Sequence, residues 1–192
     1  MNKKNITKFL QSVVAMPLFA IAMPISGIIA PIPVTISQDN AIVAPLITPE
    51  EYAIRKEHAK AIDEFFASKN SPLEGYGQEF VREAEKNFID WRLLPAIAMR
   101  ESTGGLHACK SDKAPNNNFG WFSCKKGFSS VDESIEYIAM TLGGKNNNAP
   151  HYHEDMTTVQ ILRKYNPPSI VRNYSNQVIR IMKMIDSDEE II

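Results

Sequence analysis

Apolar residues in the second half of the chain recur at three- and four-residue intervals. Val131, Ile135, Ile138, Ala139 and Leu142 make one stripe, and Tyr174, Val178, Ile181, Met182 and Ile185 make another. That spacing gathers side chains on one face of an α-helix, so each stripe predicts an amphipathic helix. Start and stop signals bound several more. "TPEE" offers Thr48 as N-cap, Pro49 in the first turn and Glu51 as capping-box partner, and predicts a helix to about Ser68. "SPLE" repeats the signal at Ser71 and Glu74 ahead of a second helix in "GQEFVREAEKNF". Asp90 precedes a third, the apolar "LLPAIAMRES", where Pro95 is tolerable only in the first turn or so. "SVDE" at 130–133 opens the helix that Gly143-Gly144 ends, and "TTVQ" at 157–160 opens a short one stopped by Pro167-Pro168. No segment alternates at period two for more than a few residues. The fold class is therefore mainly α, with at most a small β-hairpin between residues 106 and 129.

The start of the chain departs from this pattern. Lys3, Lys4 and Lys8 precede a stretch from Phe9 to Gln38 without a charged residue. It is long enough to cross a bilayer, and basic residues on its near side predict export of the rest of the chain, to the periplasm or the cell surface. Two readings fit residues 1–38. One is a membrane anchor, with the apolar run of residues 9–36 left in place. The other is a signal peptide cut after Ala22, where Ala20 and Ala22 form a small-x-small site. Residues 39–47 read as a linker, 48–186 as the folded domain and 187–192 as an acidic tail.

Composition changes the picture little. The 192 residues are 44% hydrophobic and 22% charged, as in a globular protein, and the formal net charge of −1 gives no support for a nucleic-acid partner. The cysteines matter more. Cys109 and Cys124 are the only two, and in an exported domain they most simply form one disulfide; their spacing is not a zinc pattern. His107, and His151 and His153 in "HYH", lack a carboxylate or cysteine at ligand spacing, so they read as solvated loop residues, with no metal or other cofactor expected.

Three short segments carry candidate chemistry. Leu94, Ile97, Ala98 and Glu101 stand at i, i+3, i+4 and i+7, so the glutamate continues an apolar stripe into the last turn of its helix. Burial and the C-terminal end of the helix dipole both disfavour a carboxylate's charge, which is the environment a general acid needs. The plain alternative is a glutamate that turns outward or pairs with Arg92 or Arg100. "NNNFGWF" at 116–122 combines amides with the planes of Phe119, Trp121 and Phe122, a mixture suited to sugar hydroxyls and sugar C–H faces; the alternative is a polar turn leading into the core. "KYNPPSIVRNY" at 164–174 places Tyr165 and Asn166 at a helix end; here the alternative is that Tyr165 and Tyr174 are amphipathic core residues.

In this order, "AIAMRESTGG", "NNNFGWF", "FSSVDESIEYIAMTL" and "KYNPP…NY" resemble the lysozyme-like superfamily of cell-wall hydrolases, over residues 75–185. The likeness is to bacterial glucosaminidase-type domains and to the lytic transglycosylases. The resemblance implies a lysozyme-like α domain that cleaves β-1,4 bonds in the glycan strands of peptidoglycan. It implies Glu101 as catalytic acid and Tyr165 as the tyrosine beside it. Of the expected cleft lining, Ser102, Asn118, Phe119 and Gly120 are implied by the resemblance, and Asn116, Trp121 and Asn166 are added by the amide, aromatic and helix-end chemistry above. Trp121 departs from the smaller aliphatic residue usual after Phe-Gly, and the transglycosylase glutamine is missing. A second carboxylate, where one is used, falls first to Asp112, which lies between the acid and the asparagines; Asp132, Glu133 and Glu136 are weaker candidates. A single-acid mechanism, with the substrate's N-acetyl group or 6-hydroxyl as nucleophile, needs none. The rival reading is a non-catalytic glycan-binding or scaffold module on the same fold. The expected partners are the glycan strand and, through an uncleaved N-terminus, the membrane.

Overall fold

The computed structural model describes residues 47–109 and 112–186. The apolar N-terminal segment, most of the linker and the acidic tail lie outside the described residues, so the anchor and signal-peptide readings do not meet the structure. Among the described residues there are six α-helices and no strand: α1 (Pro49–Ala67), α2 (Gly77–Lys86), α3 (Leu93–Ser102), α4 (Val131–Leu142), α5 (Thr158–Tyr165) and α6 (Tyr174–Ile185). A short 3-10 helix, Trp121–Cys124, lies in the long connection between α3 and α4. No helix among the described residues is long and apolar enough to cross a membrane.

Local capping signals account for three of the six helix starts among the described residues. Thr48 and Glu51 form the capping box of α1, and Thr157 and Gln160 form that of α5. Ser130 caps α4 by accepting from the Glu133 amide at 3.0 Å. The Ser71–Glu74 signal behaves differently. That segment is a turn, because the Ser71 hydroxyl is spent on the Gly104 carbonyl at 2.5 Å and on the Leu73 amide at 3.1 Å. The orphan amides ahead of α2 find their acceptor on another helix: Asp63 Oδ1 in α1 receives both the Gly75 and the Gly77 N–H at 2.8 Å. α2 is thus capped across its interface with α1.

α3 is the centre of the fold. It packs against α2, α4 and α6. Leu93, Leu94, Ala96, Ile97 and Ala98 are all fully buried, so this helix is apolar around its whole circumference until the last turn. Pro95 falls in the first turn, where its missing N–H has no intrahelical partner to lose. Each large aliphatic side chain buried here contributes about 1.5–3 kcal/mol. The core continues through Phe66 and Phe80 to Ile135, Ile138 and Leu142 of α4 and Tyr174 and Val178 of α6.

The small hairpin expected between residues 106 and 129 is absent from the described residues, which form turns and the 3-10 helix instead. Two other devices hold the segment. The Cys109–Cys124 disulfide is formed, with Cα atoms 5.5 Å apart, and closes a loop worth about 3 kcal/mol in the chain-entropy model. The second device is the side chain of Asn117, which takes the place of a strand ladder. Its Nδ2 donates to the carbonyls of Trp121 (2.9 Å) and Lys126 (2.8 Å), and its Oδ1 accepts from the Trp121 amide at 2.9 Å.

Candidate functional site

α3 ends by a left-handed turn in which Thr103, Gly104 and Gly105 have φ of 53°, 64° and 91°. The amides of Thr103 and Gly104 close back on the Met99 and Ala98 carbonyls. Ser102 pins this exit from inside. It is 2% exposed, its hydroxyl lies 2.9 Å from the Ala98 carbonyl and 2.7 Å from the Asn118 carbonyl, and it accepts from the Gly105 amide at 2.8 Å. Ser102 is therefore a fastening between the helix end and the asparagine run. It does not reach a surface where a sugar could touch it, which corrects the reading of Ser102 as a substrate contact.

Glu101 sits on this fixed platform, partly buried at the end of the apolar stripe. The Tyr174 phenol donates to its Oε1 at 2.5 Å. Oε2 faces Gly120, where an added Cβ would stand 3.2 Å from that oxygen. Gly120 has φ +62°, a conformation strained for other residues, so backbone geometry and lack of a side chain both leave this oxygen uncovered. Neither neighbouring arginine pairs with the carboxylate. Arg92 binds Asp90 and Asp186. Arg100 donates from Nε to Gln177 Oε1 at 2.8 Å and lies over the Tyr174 ring, 5.8 Å from its centroid.

The tyrosine that holds Glu101 is therefore Tyr174 and not Tyr165. Tyr165 donates its hydroxyl to the Phe119 carbonyl at 2.5 Å and stacks on Tyr174 with centroids 6.0 Å apart and planes within 10°. It stands close enough for the charge of Glu101 to act on it. Burial first, and then that charge, push the Tyr165 phenol well above its ordinary value. Burial, Tyr165 and Glu101 do the same for Tyr174. Both phenols remain protonated donors.

Beyond Tyr165 the aromatic row continues to the surface. The Trp121 ring lies 5.6 Å from that of Tyr165, and Phe122 meets Trp121 edge-on at 5.5 Å. Phe122 is 62% exposed. Phe122, Ser123 and Cys124 all have positive φ (51°, 50° and 59°), three successive non-glycine residues in a region costing roughly 1–2 kcal/mol each. Trp121 Nε1 and Asn166 Oδ1 are buried and have no hydrogen-bond partner among the described residues. One is a donor and the other an acceptor, and both residues adjoin Tyr165.

The asparagine run divides by role. Asn117, which sequence reasoning passed over, is fully buried and structural. Asn116 gives its Nδ2 to the Phe128 carbonyl at 3.0 Å, and Asn118 is 5% exposed with a long 3.5 Å contact to the Asn116 carbonyl. Phe119 is 1% exposed and belongs to the core; it cannot stack on a ligand, and only its backbone carbonyl serves the site. Of the residues expected to line a cleft, Gly120 adjoins Glu101, Trp121 adjoins Tyr165, and Asn166 follows Tyr165 as the C-cap of α5. Asp112 is exposed and has no hydrogen bond or ion pair to Glu101 among the described residues. Glu133 is spent on Ser129, and Glu136 pairs with Lys86. His107 and His151 are exposed, and exposed His153 pairs with Asp155. Among the described residues no group of three His, Cys, Asp or Glu side chains could hold a metal ion.

No family model, curated protein or solved structure matches this chain.

Proposed function

We propose that residues 48–186 form a lysozyme-like domain that cleaves β-1,4 glycosidic bonds in peptidoglycan glycan strands, with Glu101 as general acid and then base. The observation that carries this reading is the company Glu101 keeps. Its carboxyl ends a buried helix, is held at one oxygen by a phenol and is uncovered at the other, with no cation paired to it among the described residues. A glutamate with a structural role in such a place would be expected to carry an arginine or lysine, and both nearby arginines are bound elsewhere.

The chemistry follows from the two oxygens. Tyr174 fixes Oε1, so the proton to be delivered to a glycosidic oxygen rides on Oε2, beside Gly120. Once the leaving sugar has taken it, the carboxylate becomes the base for the second half of the reaction. The nucleophile is then either water or the substrate's own N-acetyl or 6-hydroxyl oxygen. In this reading the apolar segment 9–36 exports the domain to the wall, as leader or anchor.

Incubation of purified peptidoglycan with the wild-type protein and with Glu101→Gln, followed by mass spectrometry of released fragments, tests the proposal. Fragments are expected from the wild type alone. Equal release by both proteins rules out Glu101 as the acid, and no release by the wild type rules out the activity. Anhydro ends on the fragments mark a transglycosylase and reducing ends a hydrolase.

A further inference from the structure

From Thr157 through Ile185 the chain holds Arg163, Lys164, Arg172, Arg180 and Lys183 and no aspartate or glutamate, although its formal net charge is −1. That stretch is α5, α6 and the loop joining them. The two helices lie side by side in opposite directions. Tyr165 at the end of α5 stacks on Tyr174 at the start of α6, and Thr158 at the start of α5 lines one recess with Ile179, Met182 and Lys183 of α6. α6 turns Tyr174, Val178, Met182 and Ile185 inward, which leaves Arg180 and Lys183, three residues apart, together on the opposite face. α5 buries Ile161 and Leu162 and leaves Val159 and Arg163, four residues apart, on its outer side. All five cations are exposed, and none has a carboxylate partner among the described residues. Elsewhere on the surface cations are matched, as Lys60 is with Glu64 and Lys86 with Glu136.

We infer that the outer face of the α5–α6 pair docks on an anionic phospholipid surface. This contact belongs to the folded domain and is separate from any made by the apolar segment 9–36. It also stands apart from the chemistry proposed for Glu101. Like charges gathered without counter-charge repel one another, so the arrangement costs the isolated domain some stability and is repaid by a partner of opposite sign. Clusters of about four to eight basic side chains bind anionic leaflets, each adding about fivefold to the partition. Long lysine and arginine stems let the charged heads reach lipid phosphates while the helices themselves stay packed in the fold. Two apolar side chains point to lipid as the source of the negative charge. Ile170, in the connecting loop, is 75% exposed, and Val159 stands exposed beside Arg163. A headgroup layer takes phosphate contacts and apolar side chains together, whereas a soluble acidic polymer takes the charges alone.

The test mixes the full chain with two kinds of vesicle, phosphatidylcholine alone and equal parts phosphatidylcholine and phosphatidylglycerol. A water-soluble acetylating reagent then marks accessible lysines, which mass spectrometry reads one by one. Labelling of Lys164 and Lys183 should fall about fivefold or more on the anionic vesicles and stay unchanged on the neutral ones. Lys60 on α1 should label equally in both, and added salt should restore Lys164 and Lys183. Arg163→Gln/Arg180→Gln should restore their labelling on anionic vesicles without moving the melting temperature, since both side chains are exposed. Ile170→Ser should weaken the protection in part. Unchanged labelling of Lys164 and Lys183 overturns the inference. So does equal protection on neutral vesicles, which would assign the contact to the apolar segment, or equal protection of Lys60, which would mean general adhesion. Protection by soluble polyphosphate with none by the vesicles would give the face to an acidic polymer and overturn it as well. Cleavage is not read at any point, so each outcome is independent of the role proposed for Glu101.

Discussion

The phenol of Tyr174 donates to the carboxyl of Glu101 across 2.5 Å, joining the first residue of α6 to the last turn of α3. A hydrogen bond to a charged partner contributes about 1.5–3 kcal/mol, and here it orients the group proposed to transfer the proton. Tyr174→Phe keeps the buried ring and removes only the donor. We expect kcat to fall about tenfold to a hundredfold with KM little changed. Steady-state kinetics on peptidoglycan fragments measure it, and an unaltered kcat would show that Tyr174 merely packs.

Gly120 makes a sharper test of access. Gly120→Ala adds a methyl group 3.2 Å from Glu101 Oε2 and places alanine at φ +62°. The backbone strain alone costs about 1–2 kcal/mol of stability. Activity should fall much further than that, because the methyl covers the oxygen proposed to carry the proton. Comparing the melting temperature with the rate separates the two effects; a rate loss no larger than the stability loss would leave Oε2 without a special role.

Asn117 should prove the most sensitive of the three consecutive asparagines. Its amide donates to two carbonyls, and Asn117→Asp would turn a carboxylate toward both. A loss of about 3 kcal/mol or more is expected in denaturant unfolding, against about 1 kcal/mol for Asn116→Asp. Similar losses for both variants would mean that the Asn117 clamp is dispensable.

Acid and alkali should act on different parts of the molecule. Buried Glu79 is raised above its ordinary value by burial, against the pull of Arg82 and with help from Asp132, Glu83 and Glu136. Its folded form therefore holds a proton more tightly than its unfolded form, so the wild type gains stability as pH falls through that raised value toward 4.5. Glu79→Gln should lack this gain, and urea unfolding at several pH values will show whether it does. At the other extreme, burial raises Tyr152, Tyr165 and Tyr174 above the ordinary 10.0. Their contribution is complete below pH 10 and is lost as pH climbs through the raised values, so phenolate absorbance from these three should appear only together with alkaline unfolding.

Much of the helical framework was legible in the chain because it rests on local chemistry. Thr48 with Glu51, Thr157 with Gln160 and Ser130 all cap the helices their sequences announce. Glu101 falls on the buried stripe where its spacing put it. The features that could not be read depend on packing between distant segments. Asp63 caps α2 from another helix, a partnership twelve and fourteen residues long that no local signal encodes. Which tyrosine reaches the acid is set by how α6 docks on α3, and Tyr165 and Tyr174 carry equivalent patterns in sequence. Among the asparagines, Asn116 takes φ +55° and Asn117 is the one fully buried. Three identical letters gave no way to choose between them.

α6 supplies two things to Glu101 from positions one turn apart: the phenol of Tyr174 and, through Gln177, the restraint on Arg100. A chain in which this helix has not yet docked has an acid without its donor and a loose guanidinium one residue away, ready to neutralise it. The competence proposed for Glu101 therefore depends on α6 being docked against α3. During refolding, cleavage should return only together with α6 docking; activity that precedes α6 docking would break the link. The molecule would in effect carry its own safety catch, released only by completing its architecture.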